Sequence, residues 1–195
     1  MIKIPSIILA SFLFCFVQLT AQNIGANNIT LPNQLSKFIP KGYALLDTAM
    51  GDLNLDKFQD MILVLKAIGE DTANDEAGFN RPLLILLGHA DHTFSLAARN
   101  DHVVYCFQCG GIFGDPYDGV EIKKGLFTVH HFGGSNDRWF NDITFKYSKD
   151  MGTWCLFRIV NKGWNVANLE KIDSTIKTKK DFGIVSFAKF TADGN

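Results

Sequence analysis

Residues 120–147, VEIKKGLFTVHHFGGSNDRWFNDITFKY, carry the clearest secondary-structure pattern in this chain. It contains three apolar runs, at 120–122, 126–132 and 143–147, and segments rich in Lys, Gly, Asn and Asp separate them. Runs of β-branched and aromatic residues between turn residues indicate strands, and short connections join antiparallel neighbours. The sequence therefore predicts an antiparallel meander here, with a further turn at 150–152 that leads to another strand.

Apolar runs of the same kind extend from this stretch in both directions. They occupy residues 43–46, 61–65, 83–87, 94–98, 103–107, 154–160 and 184–190. The runs ILVL and LLILL, at 62–65 and 83–87, are continuous rather than alternating, which predicts strands buried on both faces at the centre of a sheet. We predict one mainly β domain over residues 22–195, with an antiparallel meander sheet and minor helical segments. An α+β arrangement stays open, because segment 168–178 fits either a helix or a strand.

The composition excludes two classes of protein. Hydrophobic residues make up 47% of the chain and aromatic residues 12%, which is too apolar for a disordered chain. Basic residues number 19 and acidic residues 20, so the formal net charge of -1 offers no electrostatic basis for binding nucleic acid. We therefore expect a folded domain that does not bind nucleic acid.

The N-terminal segment has the features of a signal peptide. Lys3 supplies a positive charge, residues 7–17 form an apolar run, and Ala21 is a small residue at a plausible cleavage position. As a helix, the run is too short to span the roughly 30 Å of a membrane's hydrocarbon core. We therefore predict a signal peptide at 1–21, a mature chain without a membrane span, and export to a periplasm or beyond the cell.

An acidic loop at 51–60, GDLNLDKFQD, has the spacing of a cation-binding loop. Calcium prefers six to eight oxygen ligands, and alternate residues of a tight loop direct their side chains toward one centre. The predicted ligands are the side chains of Asp52, Asn54, Asp56 and Asp60, together with a backbone carbonyl near Phe58. The alternative is an acidic, solvated turn between two strands.

This loop resembles the calcium loop of FG-GAP and VCBS repeats, whose usual form is D-x-N-x-D-G-x-x-D followed by an apolar strand. The resemblance covers residues 51–65 and implies a structural calcium ion. The chain departs from the pattern at Lys57, where the family has Gly, and at Leu55, where Gly is frequent. The wider sequence is similar to a group of small secreted bacterial proteins that carry one such loop. That likeness implies export and a β-rich fold, but no activity.

The cysteines allow three interpretations. Cys106 and Cys109 form a C-x-x-C pair, and Cys155 is the third thiol of the mature chain. A redox centre requires a helix start after the pair, and zinc requires a fourth ligand from His130 or His131. A structural disulfide fits an oxidising compartment best, with the pairing among the three thiols left open.

Two glycine-rich loops are the best candidates for a ligand-binding surface. The loops lie at 110–119 and 133–139, where glycine lets a backbone approach a ligand closely. They carry charged, hydrogen-bonding and aromatic side chains suited to recognition, namely Asp115, Tyr117, Asp118, Arg138 and Trp139.

Three functions follow from these features. The first is an exported, calcium-stabilised, non-enzymatic binding module for a protein or glycan ligand. The second is a small periplasmic hydrolase that uses Asp115, Asp118 and one of His130 or His131. The two histidines are adjacent in a predicted strand, so their side chains should point to opposite faces. The third is an immunity or inhibitor protein.

Overall fold

A computed structural model describes residues 33–72 and 80–192, and these form two antiparallel sheets. The first sheet has the order β1-β2-β3-β4, with β1 Tyr43–Gly51, β2 Asp60–Ala67, β3 Arg81–Gly88 and β4 Phe94–Val104. The second has the order β5-β6-β7-β8-β9, with β5 Tyr117–Lys123, β6 Leu126–Gly134, β7 Asp137–Ser148, β8 Thr153–Asn165 and β9 Asn168–Thr178. The helical segments are α1 Asn33–Ser36, α2 Lys179–Phe182 and a 3₁₀ turn at Phe187–Lys189. The predicted signal peptide, 1–21, lies outside the described residues.

The structure confirms the mainly β fold and the meander predicted from residues 120–147. β6 pairs with β7 without interruption from Leu126 opposite Lys146 to Gly134 opposite Arg138, so the glycines belong to a tight hairpin rather than to a loose connection. Segment 168–178 is a strand. Two details of the prediction were wrong. Residues 94–98 and 103–104 belong to one strand, β4, and 105–107 lie beyond its end. Segment 184–190 holds a 3₁₀ turn instead of a strand.

The two continuous apolar runs form the central strands of the first sheet and are buried on both faces. On one face, Ile62 and Ile85 pack in a core shared with the second sheet. On the other face, Leu63 and Leu84 pack against Leu35 of α1. Burying a large aliphatic side chain contributes roughly 1.5–3 kcal/mol, so these strands supply much of the stability of the first sheet.

Aromatic side chains fill the core between the sheets. Phe127 of β6 stacks on Phe145 of β7 at 5.1 Å, and Phe187 meets both rings edge-on at 5.5 and 5.2 Å. Trp154 of β8 donates a hydrogen bond from its indole nitrogen to the carbonyl of Leu53 at 3.0 Å. The loop that follows β1 is therefore attached to the second sheet through the core.

The β8–β9 hairpin projects beyond this core. Every residue of β9 except the last, Thr178, is exposed, on both faces of the strand. In the part of the chain that the structure describes, no helix combines the length and the apolar character needed to cross a membrane.

Candidate functional site

The acidic loop between β1 and β2 is held by its own side chains. Asp52 accepts a hydrogen bond from the Leu55 amide at 2.7 Å, and Asp56 accepts one from the Phe58 amide at 2.8 Å. Asn54 accepts a bond from the Asp56 amide at 3.1 Å and donates its side-chain amide to the Asp56 carboxylate at 2.7 Å. Bonds of this kind curl the backbone into successive Asx turns. The predicted ligand residues therefore shape the loop.

Two residues of this loop have a left-handed backbone. Leu55 has φ 68° and Lys57 has φ 77°, and these are the two positions where the FG-GAP and VCBS loops carry Gly. A left-handed conformation costs a residue with a side chain roughly 1–2 kcal/mol. The loop also docks on the turn between β5 and β6, where the Gly125 amide donates to the Asp52 carbonyl at 2.8 Å. These contacts maintain the strained backbone.

Asp60 is the buried anchor of the loop. Its side chain is fully enclosed, and its two oxygens accept hydrogen bonds from the amides of Leu53 at 2.7 Å and Gly88 at 3.0 Å. Burial raises the pKa of Asp60, whereas these backbone bonds act in the opposite direction. Asp60 thus connects the start of β2 to the end of β3.

The side chains of the loop offer oxygen donors, which is the donor chemistry that calcium prefers. Side-chain oxygens of Asp52, Asn54, Asp56 and Asp60 and the carbonyl of Phe58 are hard donors of the kind that calcium prefers. An oxygen that accepts one amide bond keeps a second lone pair for an ion. Within residues 33–72 and 80–192, no group of three or more His, Cys, Asp or Glu side chains is placed to hold a metal ion. Calcium binding therefore stays a prediction.

A buried ion-pair network centred on Arg81 was missed by the sequence analysis. Arg81 is fully enclosed; it donates to Glu70 at 2.5 Å and to both oxygens of Asp115 at 2.7 and 2.8 Å. It also donates to the Tyr105 carbonyl at 3.3 Å. Burial alone lowers the pKa of Arg81, but the hydrogen bonds that it donates to the carboxylates of Asp115 and Glu70 raise this pKa above its usual range. The available signal was a lone Arg that only Pro82 separates from the continuous apolar run at 83–87.

Three of the five predicted ligand-binding residues are engaged inside the molecule. Asp115 neutralises Arg81, as described above. The Tyr117 hydroxyl donates to Asp47 of β1 at 2.9 Å, and burial, followed by the charge of Asp47, raises the pKa of Tyr117. Trp139 lies opposite Gly133, and its ring centre is 6.0 Å from that of Tyr105. These contacts attach the second sheet to the first.

The other two residues differ in exposure, since Asp118 is exposed and Arg138 is half-buried. Asp118 is exposed in β5, where the pairing with β6 is irregular between Tyr117 and Gly119. Arg138 places its guanidinium carbon 4.0 Å from the centre of the Phe113 ring. The two predicted loops do meet, because the Gly134 amide donates to the Gly110 carbonyl at 2.9 Å.

The adjacent histidines point to opposite faces, as predicted. His131 is buried, accepts the Tyr105 amide at 3.2 Å and stacks on that ring at 4.0 Å. Burial lowers the pKa of His131 to about 3, so this side chain is neutral at physiological pH. His130 points outward, where its Nδ1 lies 2.5 Å from Asp142.

Cys106 and Cys109 form a disulfide, and Cys155 carries a free thiol. The disulfide lies in a turn, where the Cys109 amide donates to the Cys106 carbonyl at 3.1 Å. The segment after β4 contains no helix, so the pair lacks the helix start of thioredoxin-like redox centres.

The outer face of the second sheet exposes apolar side chains at one end. The register places Phe132 opposite Phe140, and Trp164 opposite Ile172, on the face that points away from the core. Ile172 and Ile176 are 59% and 61% exposed. We call this region the outer apolar surface: Phe113, Phe132, Phe140, Trp164, Ile172 and Ile176.

Three aromatic rings of this surface contact one another in a row. Phe113 lies 5.3 Å from Phe132, and Phe132 lies 6.2 Å from Trp164, measured between ring centres. Arg138 stacks on the ring of Phe113. The fold thus displays a connected aromatic surface beside the exposed strand β9.

No protein-family model matches this chain, and neither a curated protein nor a solved structure is significantly similar to it.

Proposed function

We propose that this chain is an exported, calcium-stabilised, non-enzymatic binding module that recognises a protein partner through the outer apolar surface. The observation that carries the proposal is that Ile172 and Ile176 are exposed on an outward sheet face. Beside them lie the half-buried rings of Phe132 and Trp164, and Phe132 also contacts the exposed ring of Phe113. Exposed apolar residues scattered singly are ordinary, whereas contiguous ones mark interaction sites.

The composition of this surface favours a protein over a glycan. Ile172 and Ile176 offer aliphatic area next to Trp164 and Arg138, and tryptophan and arginine dominate the energetic centres of protein interfaces. Sugars, in contrast, stack chiefly on flat rings. β9 is also the edge strand of its sheet, so its outer edge is suited to pairing with a strand of a partner.

Export is supported by the Cys106–Cys109 disulfide, because such bonds persist mainly in oxidising compartments. Calcium has a structural role in this proposal. Side-chain oxygens of Asp52, Asn54, Asp56 and Asp60 and the carbonyl of Phe58 would hold the ion, which would offset the repulsion between the carboxylates. The ion would stabilise the loop that joins β1, β2 and the second sheet.

The binding proposal is tested with two double variants. The surface variant is Trp164→Ala with Ile172→Ser. The control is Ile68→Ser with Leu96→Ser, which removes two exposed apolar side chains, 70% and 52% exposed, from the first sheet and its border. A partner captured from the extracytoplasmic fraction is purified and titrated calorimetrically against each form.

The surface variant is expected to weaken the partner's affinity about 30-fold or more, which corresponds to the roughly 2 kcal/mol of an interface hot spot. The control variant should bind like the wild type. Equal affinities of the two variants for the partner would contradict the proposal. A glycan array is probed with the same proteins, and binding to a glycan that the surface variant loses would show a sugar ligand instead of a protein.

The calcium proposal is tested by thermal unfolding with calcium and with EGTA. Calcium at about 100 times its Kd adds about 2.7 kcal/mol, which raises the Tm by roughly 5–10 °C for a domain of this size. Asp56→Ala should abolish the shift, and Asp150→Ala, which removes an exposed carboxylate elsewhere, should preserve it. An identical Tm with calcium and EGTA would refute it.

The hydrolase interpretation has less support from the geometry. Asp115 is engaged with Arg81, and the neutral His131 accepts a backbone amide. His130 points to the other face of the sheet and pairs with Asp142 rather than with Asp115 or Asp118.

A further inference from the structure

A cavity of about 940 Å³ opens on the second sheet, at the end that lies away from Trp164. It lies where β7, β8 and the start of α2 meet, and a β-bulge shapes its floor. Phe145 pairs with Leu156 while Thr144 pairs with Arg158, so Phe157 is the extra residue of the bulge. Bulges redirect side chains, and here Phe157 is 44% exposed.

The walls of this cavity are basic. Four cationic side chains line it: Lys146, Arg158, Lys179 and Lys180. Among the described residues, none of the lining side chains is acidic, and none of these four cations has a carboxylate within 4.0 Å. The nearest acidic residue along α2, Asp181, accepts hydrogen bonds from the amide and hydroxyl of Thr178.

Such a concentration of one charge is unusual for a chain with a net charge of -1. Like charges that share a cleft repel one another and raise the local concentration of anions. The cavity also offers a hydroxyl from Ser148 and an exposed ring from Phe157, over which Lys146 places its Nζ at 5.5 Å. The cations can bind an anionic group of a ligand, and the Phe157 ring can pack against an apolar or flat group beside it.

We infer that this cavity binds a small organic molecule that carries a phosphate or sulfate group. The oxyanion is held between Arg158 and the lysines of α2, and the organic part of the ligand packs on Phe157. The site is separate from the outer apolar surface, so it does not depend on the binding of a protein partner.

The probes are p-nitrophenyl phosphate, p-nitrophenyl sulfate, inorganic phosphate and the uncharged p-nitrophenyl glucoside, titrated calorimetrically against the mature chain. At least one of the two aryl anions is expected to bind at least 10-fold more tightly than the glucoside. Comparison of the two aryl anions distinguishes a phosphate from a sulfate ligand. Raising the salt from about 50 to 300 mM should weaken the binding, because salt screens exposed charges. If neither aryl anion binds more tightly than the glucoside, the inference is wrong.

Variants locate the binding. Arg158→Gln with Lys180→Gln should weaken the preferred aryl anion at least 10-fold, whereas Lys41→Gln with Lys171→Gln removes the same charge from exposed positions elsewhere and should change it less than 2-fold. Equal losses in the two double variants would show a nonspecific charge effect and overturn the proposal.

Two further measurements separate the site from a general loss of structure. Phe157→Ser should weaken the aryl anion several-fold without changing the affinity for inorganic phosphate. Cys155 lines the cavity with a free thiol, so a bound aryl anion should slow its alkylation by a maleimide. Unchanged alkylation at saturating ligand would place the binding elsewhere and contradict the inference.

Discussion

Replacing Arg81 by Met should be among the most destabilising single changes in this protein. The substitution keeps much of the side-chain volume but leaves the carboxylate of Glu70, only 3% exposed, without its cation. Removing one partner of a buried ion pair typically costs about 3–5 kcal/mol, because the remaining charge stays in a medium that solvates it poorly. The loss of Arg81 destabilises Asp115 less, because the Asp115 side chain is 30% exposed and water can solvate its charge.

For a domain of this size, each kcal/mol lowers the Tm by about 2–4 °C, so Arg81→Met should lower it by roughly 6–20 °C. The assay is urea and thermal unfolding of the mature chain, followed by circular dichroism. Arg99→Met is the matched control, because Arg99 pairs with Asp101 at 2.6 Å on the surface and should contribute less than about 1 kcal/mol.

The double variant Glu70→Gln with Arg81→Met completes the test. It removes both members of the buried pair, so it should recover part of the stability that Arg81→Met loses. Two results would contradict this expectation. In the first, Arg81→Met lowers the free energy of unfolding no more than Arg99→Met does. In the second, Glu70→Gln added to Arg81→Met lowers the free energy of unfolding further instead of raising it.

Two further predictions concern the histidine and the acidic loop. The pKa of His131 is about 3 in the folded protein, against a reference value of 6.5, so the unfolded chain takes up a proton first as the pH falls. The free energy of unfolding should therefore decrease from about pH 6.5 toward pH 3, by up to about 1.4 kcal/mol per pH unit. Urea titrations of His131→Gln should show a shallower decrease. Lys57→Gly should raise the free energy of unfolding by roughly 1 kcal/mol, because glycine adopts the φ of 77° without strain, and should also tighten calcium binding by removing a positive charge; a lower Tm in both calcium and EGTA would contradict this expectation.

Local pattern predicted most of the fold because the strands follow one another in the chain. Each sheet is a meander, so every strand pairs with its sequence neighbour and turn residues mark where the pairs begin. The continuous runs at 62–65 and 83–87 indicated double burial, and the structure shows a core on each side of them. The prediction did not separate one sheet from two, because the break between β4 and β5 has the same turn residues as the hairpins.

The interior polar network was not predictable from local pattern. Glu70, Arg81 and Asp115 are 11 and 34 residues apart in sequence, and Arg81 meets Asp115 because the start of β3 and the glycine-rich loop at 110–119 adjoin in the folded chain. Asp115 and Tyr117 were assigned to a surface because glycine-rich loops often carry recognition residues. In this fold the same loop turns inward, where its carboxylate neutralises a buried cation. Composition alone does not give the orientation of a loop, so the inward contacts of Asp115 and Tyr117 were not predictable, and their role in ligand binding stays a prediction.

The strand alternation that predicts burial also identifies where this chain departs from it. In β6 every second residue is buried, as expected of a sheet with one face on a core. In β8 and β9 three outward positions carry apolar side chains, whose exposure to water is unfavourable, namely Trp164, Ile172 and Ile176. Apolar residues on a solvent face add nothing to the core of the monomer and increase the risk of aggregation at an edge strand. In the proposed function, these three outward side chains become buried against a partner, which would account for positions that the folding of the monomer does not require.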